Sequence, residues 1–320
     1  MGLDRLPSAA PGSTARIGLG LAAVGRPGYL TTGRAADLPD RSVAGLRERT
    51  RSLLDAAYAH GVRYVDAARS YGRAEEFLAG WLASRPAADV VVGSKWGYRY
   101  TAEWQVDAAV HEVKDHGAAT FDRQLRESRS LLGPRLDLYQ IHSVTPQSPA
   151  LTDTVLHRRL AALAGQGVTV GLSTSGPEQA AAIRAALEVS VDGRPLFAAV
   201  QATYNVLEPS AGPALAEAHE RGLTVVVKEA MANGRLAAAD GPLGPLAAEA
   251  GAGPDAVALA AVLSRPWVSL VLSGAATTAQ LAANLAAAQL RPAPGLLDAL
   301  GPLAEPAPEY WRHRAALPWG

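Results

Sequence analysis

Residues 61–72 read GVRYVDAARSYG, and this stretch begins the strand–helix unit that decides the fold. Residues 63–66 form a short strand-like run that ends in an aspartate, and a loop follows it. An amphipathic helical pattern then occupies residues 75–82. A strand followed by a helix that returns the chain to a neighbouring strand is the repeating unit of parallel sheets.

The same unit recurs along most of the chain. Further helical patterns at residues 121–132, 153–164 and 214–221 are each followed by glycine, a common residue just after a helix. Eight strand–helix units with nearly continuous apolar strands predict an α/β fold, a (β/α)8 TIM barrel, rather than an open doubly wound sheet. The candidate strands are residues 17–22, 63–66, 90–93, 136–141, 168–172, 198–201, 223–227 and 268–272.

We expect one domain over residues 1–320. No G-x-G-x-x-G opens a helix after the first strand, which argues against a Rossmann fold. Residues 97–118 and the Pro-rich residues 292–320 interrupt the repeat. Because loops of this length in a barrel usually shape a site, we expect long loops at the carboxyl-terminal face and a C-terminal loop over residues 292–320.

Composition excludes several classes of function. Thirty Lys and Arg balance thirty Asp and Glu, so the chain has no basic footprint for nucleic acid or an anionic membrane. The absence of cysteine excludes disulfides, thiolate catalysis and cysteine-ligated metal. The first sixteen residues have no apolar signal-peptide core. We therefore expect a cytoplasmic protein without nucleic-acid or membrane partners, and its oligomeric state is not readable from the sequence.

Four titratable side chains follow the ends of three consecutive predicted strands: Asp66, Tyr71, Lys95 and His142. Each alone has an ordinary structural explanation, such as a cap, a loop aromatic, an exposed charge or a core histidine. Together they form a general acid aimed at a carbonyl, because an ammonium lowers the pKa of a nearby phenol and a histidine can orient a substrate oxygen. No side chain supplies a hydride, so a nicotinamide cofactor is implied.

At these residues the chain resembles the aldo-keto reductases. Residues 61–72 are similar to the family signature G-hydrophobic-R-x-hydrophobic-D-T-A-x-x-Y-G, with Ala67 where threonine is usual, and Ser94-Lys95 and residues 136–142 match as well. The resemblance covers residues 17–290. It implies an oxidoreductase that uses NADP(H) or NAD(H), needs no metal, and interconverts a small carbonyl substrate and its alcohol.

The resemblance also implies a role for each of the four residues. Tyr71 would be the general acid/base, Lys95 would tune it, Asp66 would hold Lys95, and His142 would position the carbonyl. The residues that the resemblance places around the cofactor are Ser173, Thr174, Gln201, Lys228, Arg235, Ser273, Gly274, Ala275, Gln280 and Asn284.

Three departures from the family pattern concern the cofactor. Thr174 replaces a frequent asparagine, and Lys228 stands where an aromatic ring often stacks on nicotinamide. The segment around Gln280 lacks the Lys and Arg that typically hold the 2′-phosphate of NADPH. Each lost charge-assisted hydrogen bond is worth about 1.5–3 kcal/mol. The choice between the two cofactors therefore stays open, and Arg235 could still reach the pyrophosphate.

We expect an aromatic substrate pocket built from Trp96, Tyr98 and Trp311, which would suit a flat or cyclic substrate. The spacing of His111, Glu112 and His116 is loosely metal-like, but with no fourth ligand we interpret them as an exposed loop. Two alternatives remain: an NAD-dependent aldose or lactol dehydrogenase acting oxidatively, and a cofactor-binding partner protein without turnover.

Overall fold

The structure is a computed structural model that describes residues 3, 13–31, 34–85 and 89–320. Most of the N-terminal stretch considered for a signal peptide lies outside these residues. None of the helices in the described ranges is long and apolar enough to cross a membrane.

Eight parallel strands close into a barrel, which confirms the predicted fold. The first strand pairs with both the second and the last, so the sheet closes on itself. Each of the eight predicted runs overlaps one barrel strand. The strands are β1 (Ile17–Gly20), β2 (Tyr64–Asp66), β3 (Val91–Trp96), β4 (Leu138–Val144), β5 (Thr169–Thr174), β6 (Ala199–Thr203), β7 (Thr224–Lys228) and β8 (Leu270–Ser273).

Helices surround the barrel, and the four predicted helical patterns fall on α3 (Ala74–Ser84), α4 (Ala118–Leu132), α5 (Thr154–Gly165) and α7 (Gly212–Glu220). The helix α5 begins where the Asp153 side chain accepts hydrogen bonds from two backbone N–H groups of the first turn. The helices are α1 (Arg34–Asp37), α2 (Val43–Ala59), α3 (Ala74–Ser84), α4 (Ala118–Leu132), α5 (Thr154–Gly165), α6 (Gln179–Leu187), α7 (Gly212–Glu220), α8 (Gly244–Glu249), α9 (Pro254–Leu263), α10 (Thr278–Ala286), α11 (Pro294–Leu300) and α12 (Ala307–Ala315).

Tyr64 fills the interior of the barrel and makes it depend on two glycines. A Cβ at Gly93 would lie 2.3 Å from the Tyr64 hydroxyl, and a Cβ at Gly18 would lie 2.7 Å from the Tyr64 ring. Both distances are shorter than any van der Waals contact, so only glycine leaves room for this ring. The Tyr64 hydroxyl in turn donates a hydrogen bond to Asp66 Oδ1 at 3.3 Å, which connects the barrel interior to its mouth.

The two interrupting segments are more regular than expected. Residues 97–118 contain an antiparallel hairpin in which Tyr98–Tyr100 pairs with Glu112–Lys114. Residues 292–320, expected as a Pro-rich loop, instead contain the helices α11 and α12. Pro294 is the first residue of α11 and Pro306 precedes α12, positions where the missing N–H of proline costs no hydrogen bond. Proline marks helix starts here.

Candidate active site

A cavity of about 530 Å³ opens at the carboxyl ends of the barrel strands. Asp66, Tyr71 and His142 line it, and its volume is in the range of small-molecule sites. A larger hollow of about 760 Å³ lies at the opposite end, where β7 and β8 begin. Barrel enzymes place their chemistry at the carboxyl ends, so the smaller cavity is the candidate active site.

Lys95 is the centre of a buried hydrogen-bond network. Its ammonium forms an ion pair with Asp66 and donates to the Ala67 carbonyl at 3.0 Å and to the Tyr71 hydroxyl at 3.2 Å. The side chain has no solvent-exposed surface. An ammonium has three N–H donors, and all three are used here, so its orientation is fixed.

Asp66 is held by Lys95 of β3, by Gln201 of β6 and by Tyr64 of its own strand. Its Oδ1 accepts a hydrogen bond from the Gln201 amide at 2.9 Å in addition to the bond from Tyr64. Gln201 Oε1 is buried and has no hydrogen-bond partner in the described part of the chain. Because Gln201 also lines the cavity, that oxygen is an acceptor available to a bound molecule.

His142 is turned towards Tyr71 by a bulge in β4. The register between β4 and β5 shifts between Ile141 and Val144, and Ser143 has a left-handed φ of 58°. The Ser143 N–H donates to the Ser173 hydroxyl at 2.8 Å, which fixes the bulge. His142 Nε2 then lies 3.5 Å from the Tyr71 hydroxyl. The structure thus brings together all four side chains that the sequence places at the strand ends.

The pKa directions show which protons these groups hold. Burial and the charge of Asp66 raise the pKa of Tyr71 well above 10, although Arg26 opposes the shift. We expected Lys95 to lower this pKa; the direction is the opposite, because burial of the phenol, followed by the charge of Asp66, raises it. Burial, followed by Lys95 and Lys228, lowers the pKa of His142 well below 6.5. At neutral pH the phenol is protonated and the imidazole is neutral.

The expected cofactor residues of β8 and α10 lie on the cavity wall, namely Ser273, Gly274, Ala275, Gln280 and Asn284. The Asn284 amide donates to the Ser273 hydroxyl at 2.8 Å, and its Oδ1 is buried without a partner among the described residues. A Cβ at Gly274 would meet no atom within 4 Å, so the wall is open there. Two unused acceptors, on Gln201 and Asn284, fit a ligand with amide and amine donors, as the carboxamide and adenine of a nicotinamide dinucleotide provide.

Three other expected cofactor residues lie away from the cavity wall. Ser173 supports the bulge beside His142, and Thr174 is buried with its hydroxyl 3.5 Å from Gln179 Oε1. Arg235 is paired with Glu305, so its charge is already compensated. Each of these side chains has a partner inside the protein.

Lys228 reaches the cavity from the end of β7. Its ammonium donates to the Thr203 hydroxyl at 2.8 Å and lies 3.6 Å from Glu229, which also accepts two hydrogen bonds from Arg314. Burial lowers the pKa of Lys228 to about 8, despite the opposing charge of Glu229. The pKa of Glu229 falls to about 2, because Arg314 and Lys228 outweigh the effect of its burial.

The aromatic residues expected around the substrate are only partly on the cavity. Tyr98 lines it, with its ring centroid 5.1 Å from that of His142. Trp96 points to the opposite face of β3 from Lys95, as alternate strand residues do, and packs in the core against Phe121. Trp311 packs in a separate apolar cluster under α12. The tryptophan on the cavity wall is Trp319, which stacks on His111 at 4.0 Å.

Sequence reasoning did not identify several cavity residues in the loop after β1. Arg26 donates to Glu112 and to the Ser70 carbonyl, both at 2.9 Å, and lies over the Trp319 ring. Arg34 is buried, bonds the Arg26 carbonyl, and has two nitrogens, Nε and Nη1, without partners in the described ranges. An unpaired guanidinium on a cavity wall suits a phosphate. No motif surrounds these residues, so only the folded loop reveals them.

The residues with metal-like spacing do not form the exposed loop that we expected, because His111 and His116 are buried, and each residue has its own partners. Glu112 pairs with Arg26, and His111 stacks on Trp319. His116 contacts the Ser148 hydroxyl at 2.6 Å and the His142 carbonyl at 2.8 Å. Among the residues that the structure describes, no group of three His, Asp or Glu is arranged to hold a metal ion.

Comparisons with known proteins match this chain to a family. The model of the aldo/keto reductase family matches residues 16–293. A search of curated proteins finds no significant match. A solved structure from Pseudomonas aeruginosa, named as an aldo-keto reductase, is 26% identical with a TM-score of 0.62, over 86% of this chain and 89% of that one.

Two further solved structures share the fold. The aldo-keto reductase AKR11C1 from Bacillus halodurans, in its holo form, is 21% identical with a TM-score of 0.68, over 91% of this chain and 93% of that one. The glycerol dehydrogenase AKR11B4 from Gluconobacter oxydans is 22% identical with a TM-score of 0.65, over 90% of each chain.

Proposed function

The chain belongs to the aldo/keto reductase family, and from this premise we propose that it reduces a small carbonyl compound with Tyr71 as the general acid. It is an NAD(P)H-dependent oxidoreductase. One observation carries the proposal: a single phenolic hydroxyl lies 3.2 Å from the ammonium of Lys95 and 3.5 Å from the imidazole of His142, on the wall of the cavity.

Each residue around Tyr71 has a separate role in the proposed proton transfer. The nicotinamide, when bound, supplies or accepts the hydride. Tyr71 donates its proton to the carbonyl oxygen, and Lys95, held by Asp66, stabilises the phenolate that remains. His142 is neutral, so it can donate one N–H to the same oxygen and orient it without giving up a full proton. Gln201 Oε1 offers an acceptor for the carboxamide.

The protonated form of Tyr71 is the form that the reductive direction requires. Its pKa is raised above 10, mainly by burial, so the phenol carries its proton over the whole neutral range. Oxidation of an alcohol requires a base, and this phenol becomes one only at high pH or once a bound ligand changes its surroundings. The buried Lys95–Asp66 pair provides the charge stabilisation that the oxidative direction would also need.

A second candidate is the NAD-dependent dehydrogenase that acts oxidatively on an aldose or lactol. One observation favours it: the carboxylate of Asp37 lies on the cavity wall and bonds Gln280, in the segment without a cation for a 2′-phosphate. The glycerol dehydrogenase among the structural neighbours is an oxidative enzyme by name, but at 22% identity it supports only the fold.

The test is the oxidation of NADH and NADPH by a panel of aldehydes, ketones and cyclic sugars at neutral pH. The reaction is monitored as the loss of absorbance of the reduced cofactor. We expect turnover with at least one carbonyl. Alcohols and lactols with the oxidised cofactors form the matched panel for the reverse direction. A chain that binds cofactor but is silent in both panels would be the binding partner without turnover, and the proposal would fail.

A further inference from the structure

The cavity spans the barrel mouth from His142 to Ser273. The order of the strands is β1-β8-β7-β6-β5-β4-β3-β2, so β4 and β8 lie on opposite sides of the closed barrel. His142 belongs to β4 and Ser273 ends β8, and both line the same cavity. A ligand whose reacting ring lies at Tyr71 and His142 therefore needs a second half that reaches β8.

The β8 side has a site for that second half. Asn284 is 1% exposed and lines the cavity. Its Oδ1 has no hydrogen-bond partner among the described residues. An amide oxygen without a donor suits the exocyclic amine of adenine. The remaining wall residues of β8 and α10 carry no charge: Leu272, Ser273, Gly274, Ala275, Ala276 and Gln280.

A carboxylate from a distant part of the chain also lies on the β8 side of the cavity wall. Asp37, at the end of α1, accepts a hydrogen bond from Gln280 Nε2 at 2.8 Å. Gln280 Oε1 accepts from the Ala276 N–H at 2.9 Å, and the Thr277 hydroxyl accepts from the Gln280 N–H at 3.1 Å. The position of Gln280 is thus fixed at both ends, and through it the position of the Asp37 carboxylate.

The nearest cation on the same segment does not compensate Asp37. Arg34, three residues earlier, bonds the Arg26 carbonyl and lies 6.0 Å from the Tyr29 ring, on the side of the loop that faces Arg26. Asp255, a residue of α9 that also lines the cavity wall, adds negative charge. The part of the wall formed by β8, α10, Asp37 and Asp255 is therefore uncharged or negative, whereas the guanidinium of Arg34 lies on the part of the wall next to Arg26.

We propose that Asp37, positioned by Gln280, selects NAD(H) over NADP(H) by accepting a hydrogen bond from the adenosine ribose and repelling a 2′-phosphate. An acidic residue on the ribose hydroxyls makes the same choice in other dinucleotide sites. The inference rests on the proposed function, because it requires the nicotinamide end to lie at Tyr71. Asp37 lies at the end of α1, outside the segment around Gln280.

The experiment measures binding without turnover. The dissociation constants of NADH and NADPH are determined by quenching of tryptophan fluorescence, and those of AMP and adenosine 2′,5′-bisphosphate by calorimetry, on the full chain. We expect wild type to bind NADH at least about tenfold more tightly than NADPH, and the bisphosphate more weakly than AMP.

The variants test whether the charge of Asp37, rather than its hydrogen bond with Gln280, sets the preference for NADH. Asp37→Asn keeps an acceptor for Gln280 and should reduce the NADH preference by about threefold or more, since only the repulsion is removed. Asp37→Asn/Gln280→Arg, which adds a cation, should favour NADPH. Asp298→Asn, which changes an exposed acid on α11, is the matched control and should leave the ratio unchanged. Circular dichroism establishes that each variant is folded.

Two results would overturn the inference in different ways. Equal binding of NADH and NADPH by wild type, or an unchanged ratio in folded Asp37→Asn, would remove Asp37 as the selector and leave the proposed function intact. No binding of any nucleotide would overturn both the selectivity of Asp37 and the proposed function.

Discussion

The two sides of the cavity are built in opposite ways. On the Tyr71 side, charged groups from adjacent strands are buried and compensate one another, and every donor of Lys95 is used. On the β8 side, the wall is mostly uncharged, and its one fixed carboxylate comes from the end of α1, 243 positions away from its partner Gln280. We therefore expect the proposed chemistry to depend on a rigid ion-pair network, and the proposed cofactor choice to depend on a single tertiary contact.

The largest effect should come from breaking the ion pair. Lys95→Met should lower kcat by about 100- to 1,000-fold, because Tyr71 loses the cation that stabilises its phenolate. It should also lower the free energy of unfolding by about 3–5 kcal/mol, since Asp66 is left buried without a counter-charge. Steady-state kinetics and urea unfolding measure the two quantities.

The double variant Lys95→Met/Asp66→Asn is the control for that result. It removes both charges, so it should recover part of the lost stability while activity stays low. If the single variant unfolded at the wild-type urea concentration, the buried pair would not be what holds this side of the cavity together.

The Tyr71 side could be predicted from sequence because it consists of strand ends. Parallel strands place their last residues at one edge, so Asp66, Lys95 and His142 meet wherever the strands are recognised. The direction of the Tyr71 pKa shift could not be predicted, since it depends on burial, which no local pattern reveals. Asp37 and Arg34 could not be found either, because each reaches the cavity through the folding of a loop without a motif.

Alanine substitutions of one glycine on each side should have smaller effects on stability, and these effects should differ because the Tyr71 side is packed more tightly. Gly93→Ala should lower the free energy of unfolding by about 1–3 kcal/mol, because the new Cβ would lie 2.3 Å from the Tyr64 hydroxyl, which bonds Asp66. Gly274→Ala, on the β8 side, meets no atom within 4 Å and should change stability by less than about 0.5 kcal/mol. Equal losses in urea unfolding would mean that the two sides do not differ in rigidity.

The central claim is that Tyr71 delivers the proton, and the most direct measurement is the turnover of Tyr71→Phe with a carbonyl substrate of the wild type. Tyr58→Phe, which removes a hydroxyl from the outer helix α2 where it bonds Asp89, is the matched control. We expect kcat of Tyr71→Phe to fall by about 100-fold or more, while the dissociation constant of the cofactor changes by less than about twofold. A folded Tyr71→Phe protein that retains most of the wild-type kcat would contradict the account.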